Sequence, residues 1–189
     1  DLDEITRPGG ALDELFKIKD EGLADAAGLA LGRIDMMFPL LRKRPFDVLI
    51  SHNRYTLLNR AADEMFNYAH DAGIAIFNAA PYAGGVLAKG SAEMPKVTYQ
   101  DATEEALEPV YRVEALCAKH GLAPGATALR FSIDDPRITS TIVGVSKPER
   151  VHQTIEWATA TIPEVVQHDL ALLPYSTDDP EIDRDYRPG

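Results

Sequence analysis

Ser146, Lys147 and Arg150 follow closely on the β-branched run of residues 139–143 and a turn at Gly144 and Val145. A buried strand that delivers a turn and then a helix makes an anion site. The first N–H groups of the helix have no internal partner, and the positive end of its dipole faces the turn. Ser146 is of a type that caps helix starts, Pro148 suits a first turn, and Glu149 favours the positive end. Lys147 and Arg150 lie within one turn of that end, so a phosphate is the guest this chemistry suits. Thr154 comes four residues after Arg150 and shares its helix face. The alternative is an ordinary strand–helix connection with solvated surface cations. The residues alone fit both.

Two further places can do chemistry. His52 directly follows the apolar run of residues 46–51, and an imidazole there can donate or accept a hydrogen bond. It can equally be a partly buried histidine bonded to neighbouring backbone. Ala83, Gly84 and Gly85 let backbone approach a pyrophosphate closely, although Gly-Gly also suits a plain tight turn. The run is not Gly-x-Gly-x-x-Gly, so it carries no Rossmann reading. Tyr55 and Arg60 read as packing residues. His152 and His168 are isolated, and no metal site is expected. The absence of a Gly-x-Ser-x-Gly elbow argues against that type of hydrolase. Cys117 is the only cysteine, and it reads as a small apolar residue on a buried helix face.

These residues need a scaffold. Residues 11–21 carry Leu12, Leu15, Phe16 and Ile18 at helical spacing, with Gly22 as a stop. Residues 24–31 read as a buried strand, 34–43 as a helix, 46–51 as a strand, 60–72 as a helix and 74–77 as a strand. A Gly-rich loop is expected over residues 78–101. Thr103 is read as the cap of a helix that runs to His120, and a second helix covers 124–133. The last strand is 139–143, followed by helices at 148–158 and 163–173. Alternating strands and helices predict a parallel α/β sheet with right-handed crossovers, either half of a barrel or a small open sheet. Residues 1–175 form the expected folded unit. Residues 176–189, rich in Asp, read as a flexible acidic tail.

The net charge of −11 disfavours binding to nucleic acid or to anionic membranes, yet a few local cations can still hold an anionic cofactor. The apolar runs fall far short of a membrane span. Cytoplasm is the default location.

The motifs together resemble the aldo-keto reductases. The superfamily's Gln-x-x-Tyr-x-Leu-Leu-x-Arg appears as His52-Asn-Arg-Tyr55-Thr-Leu57-Leu58-Asn-Arg60. Its Pro-Leu-x-x-Gly-x-Leu loop appears as Pro81-Tyr-Ala-Gly-Gly85-Val-Leu87, and the helix before its last strand as Ala128-Leu129-Arg130-Phe131 through Pro136. The wording around Ser51–Thr56 and Asn78–Tyr82 is most similar to the branch of sugar and pyridoxal dehydrogenases.

The resemblance implies the C-terminal half of a TIM-type (β/α)8 barrel, with NAD(P) as cofactor and a carbonyl compound or sugar as substrate. It sets His52 beside the nicotinamide amide, and Ala83, Gly84 and Gly85 near the pyrophosphate. Gly144, Val145, Ser146, Lys147, Arg150 and Thr154 fall toward the adenosine end. The superfamily's catalytic Asp, Tyr, Lys and His come from the other half, so no catalytic residue is expected in this chain. The chain alone is expected to be inactive, with an N-terminal half-barrel as its missing partner. The strands at 24–31 and 139–143 are then open edges, which a homodimer can cover.

Departures concern the nicotinamide end. Ala30 and Leu31 stand where the family has Ser-Asn, and Ala79 stands where it has a stacking aromatic. Tyr82 is the nearby ring that can substitute. Two alternatives remain open: an inactive fragment with at most weak nucleotide binding, and another phosphate-binding barrel enzyme such as an aldolase or isomerase.

Overall fold

Apolar runs punctuated by Gly and Pro set the order of elements in the computed structural model, which describes residues 2–182. In chain order they are α1 (Leu2–Thr6), α2 (Ala11–Asp20), β1 (Gly28–Leu29), α3 (Ile34–Lys43), β2 (Val48–His52), α4 (Asp63–Asp71) and β3 (Ala75–Ala79). A 3-10 turn (Ala83–Gly85), α5 (Val86–Lys89) and a hairpin of β4 (Lys96–Val97) and β5 (Gln100–Asp101) follow. The chain continues through α6 (Glu104–Lys119), α7 (Pro124–Ile133), β6 (Ser140–Ile142), α8 (Glu149–Ala158) and α9 (Glu164–Ala171).

The main sheet has the order β1-β2-β3-β6, and every pair is parallel. His52 on β2 stands opposite Ala79 on β3, which in turn stands opposite Ile142 on β6. The three strands therefore end level with one another, and their following loops share one rim. The parallel α/β fold expected from the sequence is the fold observed.

Period-two alternation divides each strand between two faces. Leu49 and Ile76 are fully buried and pack with Met37, Leu40, Met65 and Phe66 of the covering helices. On the other face Val48, Ile50, Ala75 and Phe77 are half-buried. A second cluster joins Leu87, Leu107, Val110, Val113 and Val166 beneath the loop that follows β3. In α6 the helical spacing of Leu107, Val110, Val113 and Cys117 makes the buried stripe, and Thr103 caps the helix by accepting from Ala106 N at 3.2 Å.

Three expectations change. The strand read over 24–31 shrinks to Gly28–Leu29. Just before it, Asp47 N donates to Ala27 O at 2.8 Å while the Asp47 carboxylate takes Ala27 N at 2.7 Å, so a side chain closes the last rung. The long loop 78–101 is built from a turn, a short helix and a hairpin. The hairpin tip is Thr98-Tyr99, with φ of 50° and 69°, the doubly positive pattern that matches strand twist.

The third change concerns residues 176–182, which are docked and not a free tail. Arg54 is 1% exposed and bonds Asp179 at 2.7 Å, His52 O at 3.1 Å, and Gly32 O. Ser176 and Leu58 are joined by a backbone bond of 3.0 Å, and Asn59 Nδ2 reaches Asp178 O at 2.9 Å. A buried guanidinium needs a counter-charge, and Asp179 supplies it. The remainder of the expected tail, 183–189, lies outside the described residues.

Candidate functional site

The loops after β3 and β6 come together at the strands' C-terminal rim. After β3 the chain turns through Gly84 and Gly85, with φ of 78° and 113°. Gly84 is needed for its conformation and for its neighbour, since a Cβ there would stand 2.7 Å from Tyr99 N. Thr98 N also donates to Ala83 O at 3.1 Å, so the hairpin tip lies against this turn. After β6 the loop passes Gly144, Val145 and Ser146 before α8 begins.

Between the two loops lies a cleft of about 210 Å³. Gly84, Gly85, Gly144, Val145, Ser146, Arg150 and Thr154 all line it, as the sequence led one to expect. Three expected residues do not. Ala83 is 1% exposed and packs into the core beneath the turn. Lys147 is exposed and is not among its walls. His52 stands apart at the end of β2, linked to the rim through the hairpin. Its ring lies parallel to that of Tyr99, with centroids 5.7 Å apart, and its Nε2 is 3.3 Å from the Tyr99 hydroxyl. On its other side, Nδ1 is 3.5 Å from Glu181 Oε1. These partners are side chains from the hairpin and the docked segment, not neighbouring backbone.

The expected capping role of Ser146 is also corrected. Helix α8 begins at Glu149, its N-cap position is Pro148, and no side chain caps it. Ser146 sits too early in the loop to reach the first free N–H groups. The Ser146 hydroxyl instead belongs to the cleft wall.

The cleft contains residues that the sequence did not point to. Lys89 and Met94 arrive through α5 and the segment leading into the hairpin, and Gln153 and Trp157 through α8. Gln153 and Trp157 were legible in principle, because they continue the helical face of Arg150 and Thr154. Tyr82 lines the same wall and makes an edge-on contact with Trp157 at 5.8 Å. Burial pushes the Tyr82 phenol up to about 12, so it stays neutral across the physiological range. Ala30, Leu31 and Ala79 offer no side-chain hydrogen bond or ring at the strand ends.

The charge of the cleft is distinctive. The chain carries 30 Asp and Glu against 19 Lys and Arg, yet the cleft is lined by Lys89 and Arg150 and by no carboxylate. Neither cation is in an ion pair among the described residues. A concave site with two uncommitted cations and flexible glycine backbone suits a phosphate-bearing guest. Among the described residues no group of His, Cys, Asp and Glu could hold a metal ion, and no helix is long and apolar enough to cross a membrane.

Tyr55 and Arg60 are structural. Tyr55 donates to Asp135, and burial pushes its phenol well up. Arg60 lies over the rings of Phe131 at 4.0 Å and Tyr175 at 4.9 Å. It is therefore held by aromatic faces and not by an ion pair at a helix start.

Known proteins with similar sequences are dehydrogenases. The chain is 26% identical over 161 residues to pyridoxal 4-dehydrogenase of Microbacterium luteolum, covering 85% of this chain and 47% of that protein. It is 27% identical over 163 residues to D-threo-aldose 1-dehydrogenase of Pseudomonas sp, covering 85% and 50%. It is 24% identical over 157 residues to L-galactose dehydrogenase of Arabidopsis thaliana, covering 82% and 47%. The chain thus spans about half the length of the curated relatives it matches. In fold it superposes on an aldo-keto reductase of Bacillus halodurans. For the apo form the TM-score is 0.70 at 15% identity, covering 88% of this chain and 56% of that one. For the holo form it is 0.70 at 16% identity, covering 92% and 58%. Residues 2–169 match the Aldo/keto reductase family, and the chain belongs to it.

Proposed function

We propose that the chain is the cofactor-holding part of an NAD(P)-dependent oxidoreductase. Its substrate is a sugar or a similar small molecule with a carbonyl or hydroxyl group. The observation that carries this reading is the cleft at the strand ends, lined by Lys89 and Arg150 without a carboxylate. The relatives' names, each a dehydrogenase of an aldose, a sugar or pyridoxal, support the substrate class. Family membership favours redox chemistry over the aldolase or isomerase alternative.

The residues present fit the phosphate end of the cofactor. Backbone at Gly84 and Gly85 would meet the pyrophosphate, and Gly144 and Ser146 would lie toward the adenosine end. Arg150 and Lys89 supply charge, and Lys147 adds to the field from outside. The fit is poorer at the nicotinamide end, where His52 stands in place of the motif's Gln. Tyr99 and Glu181 hold that imidazole in orientation. When bound, the cofactor supplies the hydride. This chain binds and orients it, and the residues that the family uses for proton transfer lie in the half this chain does not span. The chain alone therefore holds cofactor without turnover.

The half-covered sheet face, carrying Ile50 and Phe77, needs a cover. A complementary half-barrel is the proposed partner, and a second copy of the chain is its substitute. Residues 1–175 are proposed as the barrel portion, and cytoplasm as the location.

Equilibrium dialysis of the purified chain against NADH and NADPH, followed by assays with a panel of aldoses and aldehydes, tests this. Saturable binding without hydride transfer is expected. Failure to bind either dinucleotide rejects the cofactor role. Hydride transfer by the chain alone at an enzyme's normal rate rejects the division of labour between halves.

A further inference from the structure

We propose that Met94 is a site of oxidative modification and that its sulfoxide closes the cleft to an anionic guest. The closing effect rests on the cofactor reading above, whereas the oxidation rests on the residue and its surroundings alone.

The chain has four methionines and one cysteine, and burial sorts them. Met37 and Met65 are fully buried in the core. Met36 and Met94 are half-buried, and of the four only Met94 lines the cleft. Cys117 is buried, and that burial pushes its thiol up, so it is a poor competitor for peroxide. A thioether has no proton to lose before it reacts, and access is what limits it. Its sulfur attacks one oxygen of hydrogen peroxide, and the O–O bond breaks as an S–O bond forms. The proton of the transferred hydroxyl passes to the departing hydroxide. Methionine and peroxide thus become methionine sulfoxide and water.

The seat of Met94 has no room for the added oxygen on its inner side. Gly85 admits the sulfur, since a Cβ there would stand 3.0 Å from Met94 Sδ and 3.6 Å from its Cε. The backbone on either side is tied. Met94 N donates to Gly90 O at 2.9 Å, and Lys96 N donates to Met94 O at 2.8 Å. Ser91 anchors the start of the segment, its N and its hydroxyl each donating to the Glu114 carboxylate at 2.7 Å. With Gly85 on one side and the backbone pinned, the sulfoxide oxygen has the cleft as its outlet. There it is a strong acceptor where the thioether was a weak one. Lys89 and Arg150 line the same cleft without a carboxylate. The new oxygen competes for those cations and sets its negative end against an arriving phosphate.

The test treats the chain with hydrogen peroxide, removes the excess with catalase, and maps the four methionines by peptide mass. Met94 and Met36 should convert well before Met37 and Met65. Dialysis against NAD+ and NADP+ should then show affinity falling about tenfold as Met94 converts, the size of one lost hydrogen bond to a charged group. Methionine sulfoxide reductase should restore it. In Met94→Leu, a volume-conserving exchange, treated and untreated chains should bind alike. Saturating dinucleotide should slow the oxidation of Met94 and leave that of Met36 unaltered. If Met94 stays reduced while Met36 converts, the modification site is overturned. If Met94 converts and affinity holds, or if Met94→Leu loses affinity on treatment as the original chain does, the closing effect is overturned and the cofactor reading stands. If the untreated chain binds neither dinucleotide, the cofactor reading falls and the closing effect falls with it.

Discussion

The approach to the strands and the cleft between the loops after β3 and β6 handle charge in opposite ways. On the approach side, cations are locked to carboxylates. Arg137 bonds Asp135 at 2.7 Å, Asp63 at 3.0 Å and Asn67 at 2.6 Å, while Tyr55 donates to the same Asp135. Lys19 holds Asp47 at 2.7 Å, and Asp47 in turn holds Ala27 N. At the C-terminal ends Arg54 is still paired with Asp179, but the cleft presents Lys89 and Arg150 without ion-pair partners among the described residues, beside glycine backbone. Bonds that satisfy each other hold a structure, whereas cations left without carboxylates are available to a guest. The difference between the ends separates what keeps the fold from what the fold is for, as parallel α/β barrels commonly arrange it.

Breaking the closed end should give the largest effect. Arg137→Met should cost about 3 kcal/mol of stability in urea unfolding, because it strands the partly buried Asp135 and the Tyr55 hydroxyl. Dinucleotide affinity measured well below the unfolding transition should not change. A matching loss of affinity would mean that the two ends are coupled and the contrast is wrong.

The open end should show the converse. Arg150→Ala should leave the urea midpoint in place, since no ion pair is lost, and weaken dinucleotide binding by about 2 kcal/mol, roughly thirtyfold. Dialysis and a melt on the same sample decide it. A destabilised chain with unaltered binding would make Arg150 a structural residue.

This contrast was only half visible in the sequence. Helices α3 and α7 fall where periodicity and the prolines at 45, 124 and 136 place them, because punctuation and stripe agree. The anion cleft was legible where its residues lie in two contiguous runs, at 84–85 and 144–154. Lys89 and Met94 were not, because they reach the cleft only after the loop that follows β3 folds back. The Thr98-Tyr99 turn adopts a doubly positive geometry without Gly or Asn, so composition gave no sign of it. The docking of residues 176–182 depends on Arg54, far away in sequence. Average acidity says nothing about whether one carboxylate has a buried partner.

Acid should act on the closed end first. Burial favours the neutral form of Asp135, yet hydrogen bonds from Arg137 and Tyr55 outweigh it and hold the carboxyl below its ordinary value. A group whose folded pKa is depressed stabilises the fold above its unfolded value, about 3.9, and that stability is lost as pH falls through the folded value. Asp47 is lowered as well, by Lys19 and Ala27 N, so it contributes in the same direction. Stability should therefore fall below about pH 4. In Asp135→Asn the slope there should be shallower by at most about 1.4 kcal/mol per pH unit, the limit for one proton. Equal acid slopes in the two proteins would place the acid sensitivity elsewhere.

The smallest expected effect sharpens the contrast at a single hydroxyl. Ser146 has the sequence signature of a helix cap, yet α8 begins three residues later with no side-chain cap, and Ser146 faces the cleft. Thr103 is a true cap, accepting from Ala106 N. Thr103→Ala should thus cost about 1 kcal/mol in thermal or urea unfolding. Ser146→Ala should stay within about 0.5 kcal/mol, as surface changes without a structural bond do. Its effect should appear in binding, as a loss of a few-fold in dinucleotide affinity, the size expected for one neutral hydrogen bond of about 1 kcal/mol. The reverse outcome, a Ser146→Ala chain less stable by as much as Thr103→Ala with full affinity, would return Ser146 to the helix and remove it from the open end.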